Sequence, residues 1–384
     1  MNNAVIVDGV RSPFGKRNGA LAGLHPAQLL GQVQQGLVNR LGVEPALTEQ
    51  VIGGCVTQAG EQSNNITRNA WFSQGLPAEV PSTTVDCACG SSLQSVHLVN
   101  ALINSGAIDT GMATGVESMS RVFLGDAGGS GSPYPPNWDL DLPDQFVAAE
   151  RIAQNRGLTR RDLDELGVLS QSRAIESWKN GDFDRTVIPV VAPEVMEDGS
   201  LGRETCITQD QGLRESTVDT LGNLNVLIEG GVHTAATSSQ VSDGASAVML
   251  MSEDRAKELG LKPRARVVAS VMVGSDPYYH LDGPIGATEQ VLKKSGMSLS
   301  DIDYVEINEA FASVVLSWQQ QTGFDMDRTN VFGGAMALGH PVGASGIRLL
   351  MQAIDVLEKK DANTALITMC AGGALAPATI IERL

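Results

Sequence analysis

The feature that most constrains this chain is that it echoes itself. CGSSLQSV (Cys89 to Val96) and GASGIRLL (Gly343 to Leu350) each set small residues at the start of an apolar helix. Each helix leads to an apolar strand ending in glycine, MATG after the first and CAGG after the second. The spacings agree: Gly115 follows Cys89 by 26 residues, and Gly372 follows Gly343 by 29. Self-similarity at this scale indicates one supersecondary unit built twice. A duplicated α/β unit is therefore expected, with the active site between the copies.

The rest of the pattern is of the same kind. AVIVDGV (Ala4 to Val10) is an apolar run with the look of a buried strand, and Ala27 to Leu41 has apolar residues at helical spacing. VIGGCV (Val51 to Val56) is strand-like. TTVDCAC (Thr83 to Cys89) is a strand feeding the helix Ser92 to Ile103, and GMATGV (Gly111 to Val116) is a further strand. The texture changes after Arg121. Gly125 to Pro143 is rich in Gly, Pro and Ser and has no period, so it is a loop. Helical patterns follow at Gln145 to Asn155 and Arg160 to Asn180, the second with a capping pair at Thr159 and Asp162. Strand Arg264 to Val273, helix Gly286 to Ser295, strand Tyr304 to Ile307, helix Ala310 to Gln320, helix Gly343 to Ile354 and strand Ala365 to Met369 then resume the α/β alternation. The expected division is a first half of residues 1–120 plus 241–262, an inserted loop domain at 121–240, and a second half at 263–384. A chain of 384 residues is longer than one ordinary domain, which fits this plan.

Composition narrows the partners. The net charge is −17, unsuited to nucleic acid or an anionic membrane surface, both of which select basic proteins. The first residues are too short in their apolar run for a signal peptide, and no run is long enough to span a bilayer. Five scattered cysteines do not suggest a disulfide framework and fit a reducing cytoplasm.

Four positions carry chemistry. Cys89 sits where a strand meets a helix, followed by Gly90, Ser91 and Ser92. Helix N-termini carry partial positive charge and free N–H groups, so a lowered thiol pKa and a nucleophilic role are expected there. The alternative is a packed core thiol. Cys87 is its close rival; the C-x-C pair they form is weak for a metal, and no second pair lies at zinc spacing. His340 lies in GGAMALGHPVGASG (Gly333 to Gly346), where glycines let the backbone approach a ligand. A His held there can donate to a thioester oxygen or take a proton, or it can be structural. Cys370 opens CAGGA straight after a strand, facing a cleft or packed in the core. Asn308, in NEAF at the carboxyl end of YVEI, could hold a water or an oxygen, or simply cap the next helix.

Taken together, CGSSLQS, GVESMSR (Gly115 to Arg121), SDGASAV (Ser242 to Val248), NEAF, GHPVGASG and CAGG resemble the thiolase family, in its order and spacing along nearly the whole chain. The resemblance implies the thiolase fold: duplicated βαβαβαββ halves forming a five-layered αβαβα core with an inserted loop domain. It implies ping-pong acyl transfer between acyl-CoA thioesters, with coenzyme A as substrate and no permanently bound cofactor, in a homodimer or dimer of dimers. By this likeness Cys89 is acylated, and His340 activates it and helps form an oxyanion hole in which Asn308 holds a water. Cys370 is the second acid/base. The N–H groups of Cys89 and Gly372 form the other oxyanion hole, and Ser239 contacts the pantetheine arm. Claisen chemistry needs an acyl carrier, a base for an α-proton and stabilisation of two oxyanions in turn, and this set supplies them.

The chain also departs from the common pattern. Ser92 stands where the family commonly has Gly, which adds bulk one turn from the nucleophile. Asp144 and Gln145 replace the His-Met pair of short-chain biosynthetic enzymes, and Val273 aligns with a pocket Met. DPYYHLDGP (Asp276 to Pro284) looks like the branch that degrades steroid side chains, as do Val51 to Asn65 and Leu140 to Phe146. A substrate bulkier than acetoacetyl-CoA is expected. A β-ketoacyl synthase has no second catalytic Cys, and a lipid-binding relative would have lost these residues. A dinucleotide dehydrogenase is excluded because no G-x-G-x-x-G follows the first strand.

Overall fold

The structure, a computed structural model, describes residues 3–129 and 131–384. Met1 and Asn2 of the opening segment and Ser130 of the Gly125–Pro143 loop lie outside them.

The first half comprises β1 (Ala4–Arg11), β2 (Gly15–Lys16), α1 (Pro26–Leu41), β3 (Gln50–Gly54), α2 (Ile66–Ser73), β4 (Ser82–Val85), α3 (Ser91–Asn104) and β5 (Thr110–Ser118). Next come α4 (Gln145–Arg156), α5 (Arg160–Lys179), the hairpin of β6 (Val190–Val195) and β7 (Leu201–Ile207), and α6 (Val218–Gly222). β8 (Ser242–Ser252) and α7 (Glu253–Glu258) follow. The chain closes with β9 (Ala265–Gly274), α8 (Gly283–Ser295), β10 (Tyr304–Ile307), α9 (Ala312–Thr322), α10 (Ala335–Leu338), α11 (Ser345–Lys360), β11 (Thr364–Thr368) and β12 (Leu375–Arg383).

Strand order makes the duplication explicit. The first half runs β4-β3-β5-β8-β1 across its sheet, and the second runs β10-β11-β12-β9. In the second half Thr329 bridges Val305 in parallel and takes the place of β4. Counted in chain order, both halves read 3-2-4-5-1, with the last three strands of that order antiparallel and the others parallel in each. A single pair, Ile6 opposite Ala265, joins the two sheets.

Side-chain alternation then builds the layers. On β1, Val5 and Val7 face a cluster with α1 and α2, whereas Ala4 and Ile6 face one that includes α3 and α11. On β11, Ala365 and Ile367 join that central cluster, whereas Leu366 packs with α8 and α9. The layers are thus helix, sheet, helix pair, sheet, helix: five in all, with α3 and α11 buried between the sheets. Strands covered on both faces read as continuous apolar runs. The two central helices come close because Gly346 has no side chain: a Cβ there would lie 2.6 Å from the Leu93 backbone nitrogen.

Local signals behaved as expected at most elements. Thr159 and Asp162 form a reciprocal capping box at the start of α5. Expected strand Val51–Val56 ends instead at Gly54, and Thr83–Cys89 ends at Val85. Strands β8 and β12 and the β6–β7 hairpin carry no clear sequence signal; β8 is buried along its whole length and so lacks alternation. The segment after β5 docks through buried polar contacts. Glu150 accepts the His233 N–H (2.9 Å) and contacts its Nδ1 (3.0 Å), while His233 Nε2 lies 2.9 Å from Ser313 Oγ on α9. Among the described residues no helix is long and apolar enough to cross a membrane.

Candidate active site

The two central helices aim their N-terminal ends at one place. β4 stops at Val85, and a tight turn follows in which Asp86 Oδ1 accepts the Ala88 N–H at 2.8 Å. Ala88 adopts φ +48°, a left-handed conformation that costs an alanine roughly 1–2 kcal/mol. Ser91 offsets this: its hydroxyl donates to the Ala88 carbonyl at 2.6 Å and accepts the Cys87 N–H at 2.9 Å. The strained turn sets Cys89 at the head of α3, buried, with Cys87 only half-buried beside it.

Cys370 enters from the other half. It follows β11 and is fully buried, and the Ala371–Leu375 bridge folds Gly372 and Gly373 into a turn before β12. The N–H groups of Gly372 and of Cys89 itself favour the charged form of the Cys89 thiol, and charge on Cys89 opposes ionisation of Cys370, so the turn after β11 and the head of α3 share one site.

His340 is the third component. Gly339 before it has φ +104°, and a Cβ there would lie 2.5 Å from Ser242 Oγ, the hydroxyl that accepts the His340 N–H at 3.1 Å. Its ring tautomer follows from its neighbours. Arg348, on α11, donates to Asn308 Oδ1 at 3.3 Å, which turns the Asn308 amide nitrogen toward His340 Nε2 at 3.2 Å. Nε2 is therefore the acceptor. Nδ1 donates to Ser345 Oγ at 2.7 Å, and that hydroxyl donates onward to the Pro341 carbonyl at 2.9 Å. Burial, reinforced by the Arg348 charge, holds the His340 pKa down to about 3, so the ring is neutral with its lone pair on Nε2.

One expectation fails here. The helix-start position was expected to lower the Cys89 pKa. Burial instead pushes the thiol up to about 11, outweighing the two N–H groups that favour the thiolate, with Glu117 and Asp86 adding to the rise. Burial likewise raises Cys370 well above the ordinary thiol range. The resting site holds neutral thiols and a neutral imidazole. Alkylation of Cys89 by iodoacetamide should therefore accelerate about tenfold per pH unit between roughly pH 7 and 10, because the reactive thiolate is a minor species throughout. A rate that levels off near neutrality would show that the thiol is acidified after all.

Other expected site residues are sorted by the fold. Ser239 lines the cavity, and its N–H donates to the Ala310 carbonyl of NEAF at 2.8 Å. Gln145 reaches the same place, with its Nε2 3.5 Å from where a Cβ on Gly372 would sit, and Asp144 caps α4. Ser92 does not crowd the pocket: its hydroxyl accepts the Ile347 N–H at 3.2 Å and joins the central helices. Val273 does not line the pocket either; it packs in the core with Ala287 and Val291.

A mostly apolar cavity of ≈ 270 Å³ opens beside His340 between Met119, Phe146, Phe311 and Val342. Phe146, Ser238, Ser239, Gln240 and Val241 also line an adjoining cleft of ≈ 480 Å³, together with Lys16, Arg17 and Arg214. Sequence alone did not single out these cations, since they come from segments far apart in the chain and share no motif.

The fold and the site define an α/β enzyme of duplicated architecture, in which Cys89 of one half meets Cys370 of the other and His340 pairs with Asn308. Residues 4–254 match the thiolase N-terminal domain and residues 261–383 the thiolase C-terminal domain. The chain belongs to the thiolase family. It is 41% identical over 397 residues to a steroid 3-ketoacyl-CoA thiolase of Mycobacterium tuberculosis, covering 100% of this chain and 95% of that protein. It is 36% identical over 397 residues to an acetyl-CoA acetyltransferase of Allochromatium vinosum, covering 100% and 99%. The crystal structure of the Bacillus anthracis acetyl-CoA acetyltransferase superposes with a TM-score of 0.91 at 32% identity, covering 100% and 99%.

Proposed function

We propose that this thiolase works in the degradative direction, cleaving 3-oxoacyl-CoA with coenzyme A to acyl-CoA and acetyl-CoA through an acyl-Cys89 intermediate. The observation that carries the chemistry is the meeting of Cys89, favoured as a thiolate by its own N–H and that of Gly372, with Cys370 from the other half; the direction is supported by likeness to proteins named 3-ketoacyl-CoA thiolases.

In this reading the Cys89 sulfur attacks the 3-oxo carbon as its proton passes to His340 Nε2. A free thiolate is costly in this dry site, so proton transfer accompanies attack. The charge is received on the substrate oxygen, which Cys89 N–H and Gly372 N–H are placed to hold. As the C2–C3 bond breaks, the electron pair moves into the acetyl-CoA enolate, which Cys370 protonates. His340, now carrying a proton on Nε2, no longer accepts the Asn308 amide N–H; it donates to the enolate oxygen instead, and the released amide holds a water in the same hole. Incoming CoA then gives up its thiol proton to Cys370 and attacks the acyl-Cys89 carbonyl. The proton on His340 returns to the Cys89 sulfur as it leaves. Ser239 contacts the pantetheine arm, while Lys16, Arg17 and Arg214 meet the phosphates, giving an acidic protein the local positive field that CoA needs. CoA is a substrate here, and no permanently bound cofactor takes part.

The domains follow the same reading: halves at 1–120 plus 241–262 and at 263–384, with 121–240 inserted over the CoA cleft. The enzyme acts in the cytoplasm as a homodimer or dimer of dimers, with neither nucleic acid nor membrane as a partner, in keeping with its net charge of −17.

Its acyl substrate is bulkier than acetoacetyl-CoA. Support comes from the apolar lining of the cavity, from Asp144 and Gln145 at its rim, and from likeness to a protein named a steroid 3-ketoacyl-CoA thiolase. Across a panel of 3-oxoacyl-CoA esters, kcat/KM should rise by at least about tenfold from acetoacetyl-CoA to a ring-bearing substrate, the discrimination that one or two well-buried groups provide. A higher kcat/KM for acetoacetyl-CoA would refute the bulky-substrate reading.

A further inference from the structure

DPYYHLDGP carries a histidine that the reaction does not use. His280 lies in the connection from β9 to α8, buried, with φ +52°. Its imidazole bridges two backbone groups from distant segments. Nε2 accepts the Gly373 N–H at 2.8 Å, and Nδ1 donates to the Pro143 carbonyl at 2.9 Å. Only the neutral Nδ1–H tautomer satisfies both partners. Burial lowers the His280 pKa, which keeps that form populated, against the opposing influence of the Pro143 carbonyl and of Asp144.

The two ends of the bridge matter. Gly373 follows Gly372 in a turn of small residues, and Gly373 itself has φ +76° and is exposed. Ser275 holds the end of this turn, its N–H and hydroxyl donating to the Ala374 carbonyl at 2.7 and 3.1 Å, but neither of those bonds is to Gly372 or Gly373. Pro143 precedes the first turn of α4, from which Gln145 reaches the Gly372 position. The backbone N–H of His280 is in turn anchored on the Asp276 carbonyl at 2.8 Å, and Leu281 and Tyr279 pack in the cluster that contains Cys370.

We propose that His280 is a positioning residue for the thiolase reaction: it clamps the Cys370–Gly373 turn to the start of α4, so that the Gly372 N–H stays aimed at the acyl oxygen on Cys89. The inference rests on the role given above to the Gly372 N–H. An oxyanion donor is effective only when its direction is set before the charge develops, and displacement by about 1 Å can cost roughly 100-fold in rate. His280 supplies that fixity from outside the reacting groups.

The test compares two substitutions, using thiolysis of 3-oxoacyl-CoA. In H280N, asparagine tolerates the left-handed backbone but is too short to reach Gly373. In H280Q, the side chain carries an acceptor oxygen at about the right length. H280N should lower kcat by roughly 10- to 100-fold with KM for CoA changed less than about twofold, and H280Q should recover most of the loss. Normal kcat in H280N overturns the clamp, and so does an equal loss in H280Q, which would mean that shape and not the acceptor matters. A rise in KM with kcat unchanged overturns it too, making His280 a substrate-contacting residue. Hydrogen exchange on the unmodified protein decides independently of variant folding: the Gly373 amide should be protected, and exchange at the rate of an unstructured peptide removes the bond on which the idea stands. If the unmodified enzyme forms no acyl adduct on Cys89, the oxyanion reading falls, and the clamp with it. If the adduct forms and H280N is as fast as the parent, only the clamp falls.

Discussion

Replacing Cys89 with alanine is expected to reduce thiolysis by on the order of 10⁴-fold or more while leaving CoA binding nearly intact. The substitution removes only the sulfur. The main-chain N–H at position 89 remains, as does Gly372, and the cleft with Lys16, Arg17 and Arg214 lies apart from the change. The packing lost in the central cluster is small, about 1 kcal/mol, so the fold should persist. Intact-mass analysis after incubation with acyl-CoA should show one added acyl group on the parent enzyme and none on C89A, with peptide mapping placing the adduct on Cys89. An adduct on Cys87 or Cys370, or substantial turnover by C89A, would mean that another group is the nucleophile. Cys87 is the natural competitor by sequence, but its main chain is tied to Ser91, and no backbone N–H favours its thiolate as those of Cys89 and Gly372 favour that of Cys89.

Cys370→Ala should separate the two halves of the reaction. Transfer of an acyl group from a simple acyl-CoA to Cys89 involves no α-proton, so the adduct should still form. Making or breaking the carbon–carbon bond does need a proton moved at the α-carbon, and that step should slow by roughly 10²- to 10⁴-fold, the usual worth of a positioned acid/base. His340→Ala provides the contrast, because its Nε2 serves Cys89 as well as the enolate; both steps should slow. Condensation by C370A at the parent rate would make Cys370 a bystander packed behind the site. The raised pKa of Cys370 suits a group that holds its proton until an enolate takes it, since burial favours the neutral thiol over the thiolate.

Much of this site could be read from residues next to one another in the chain. The strand-to-helix step at Cys89, the glycines around His340 and the strand end before Cys370 are local patterns, and the echo between CGSSLQSV and GASGIRLL already implied that two copies meet at one centre. The order 3-2-4-5-1 in both sheets gives that echo its structural basis. Elements with a strong period, such as α1 and α5, were legible for the same reason, because a helix that buries one face must write that face at 3.6-residue spacing. β8 was not, because a strand covered on both sides needs only apolar or small residues and writes no alternation.

What only the tertiary structure decided depends on which distant segments come together. A helix N-terminus favours a thiolate by its local dipole, and sequence shows that much. The fold then buries Cys89 between two sheets beside Glu117, and the desolvation, a property of everything packed around the sulfur, reverses the direction of the shift. Ser92, read from sequence as added bulk one turn from the nucleophile, joins α3 to α11, because helix rotation, not sequence position, sets where a hydroxyl points. The three cations at the cleft, the Arg348–Asn308–His340 chain and the His280 bridge each unite residues far apart along the chain. Hydrogen bonds and desolvation act over a few ångströms of space, and that proximity exists only after the chain has folded.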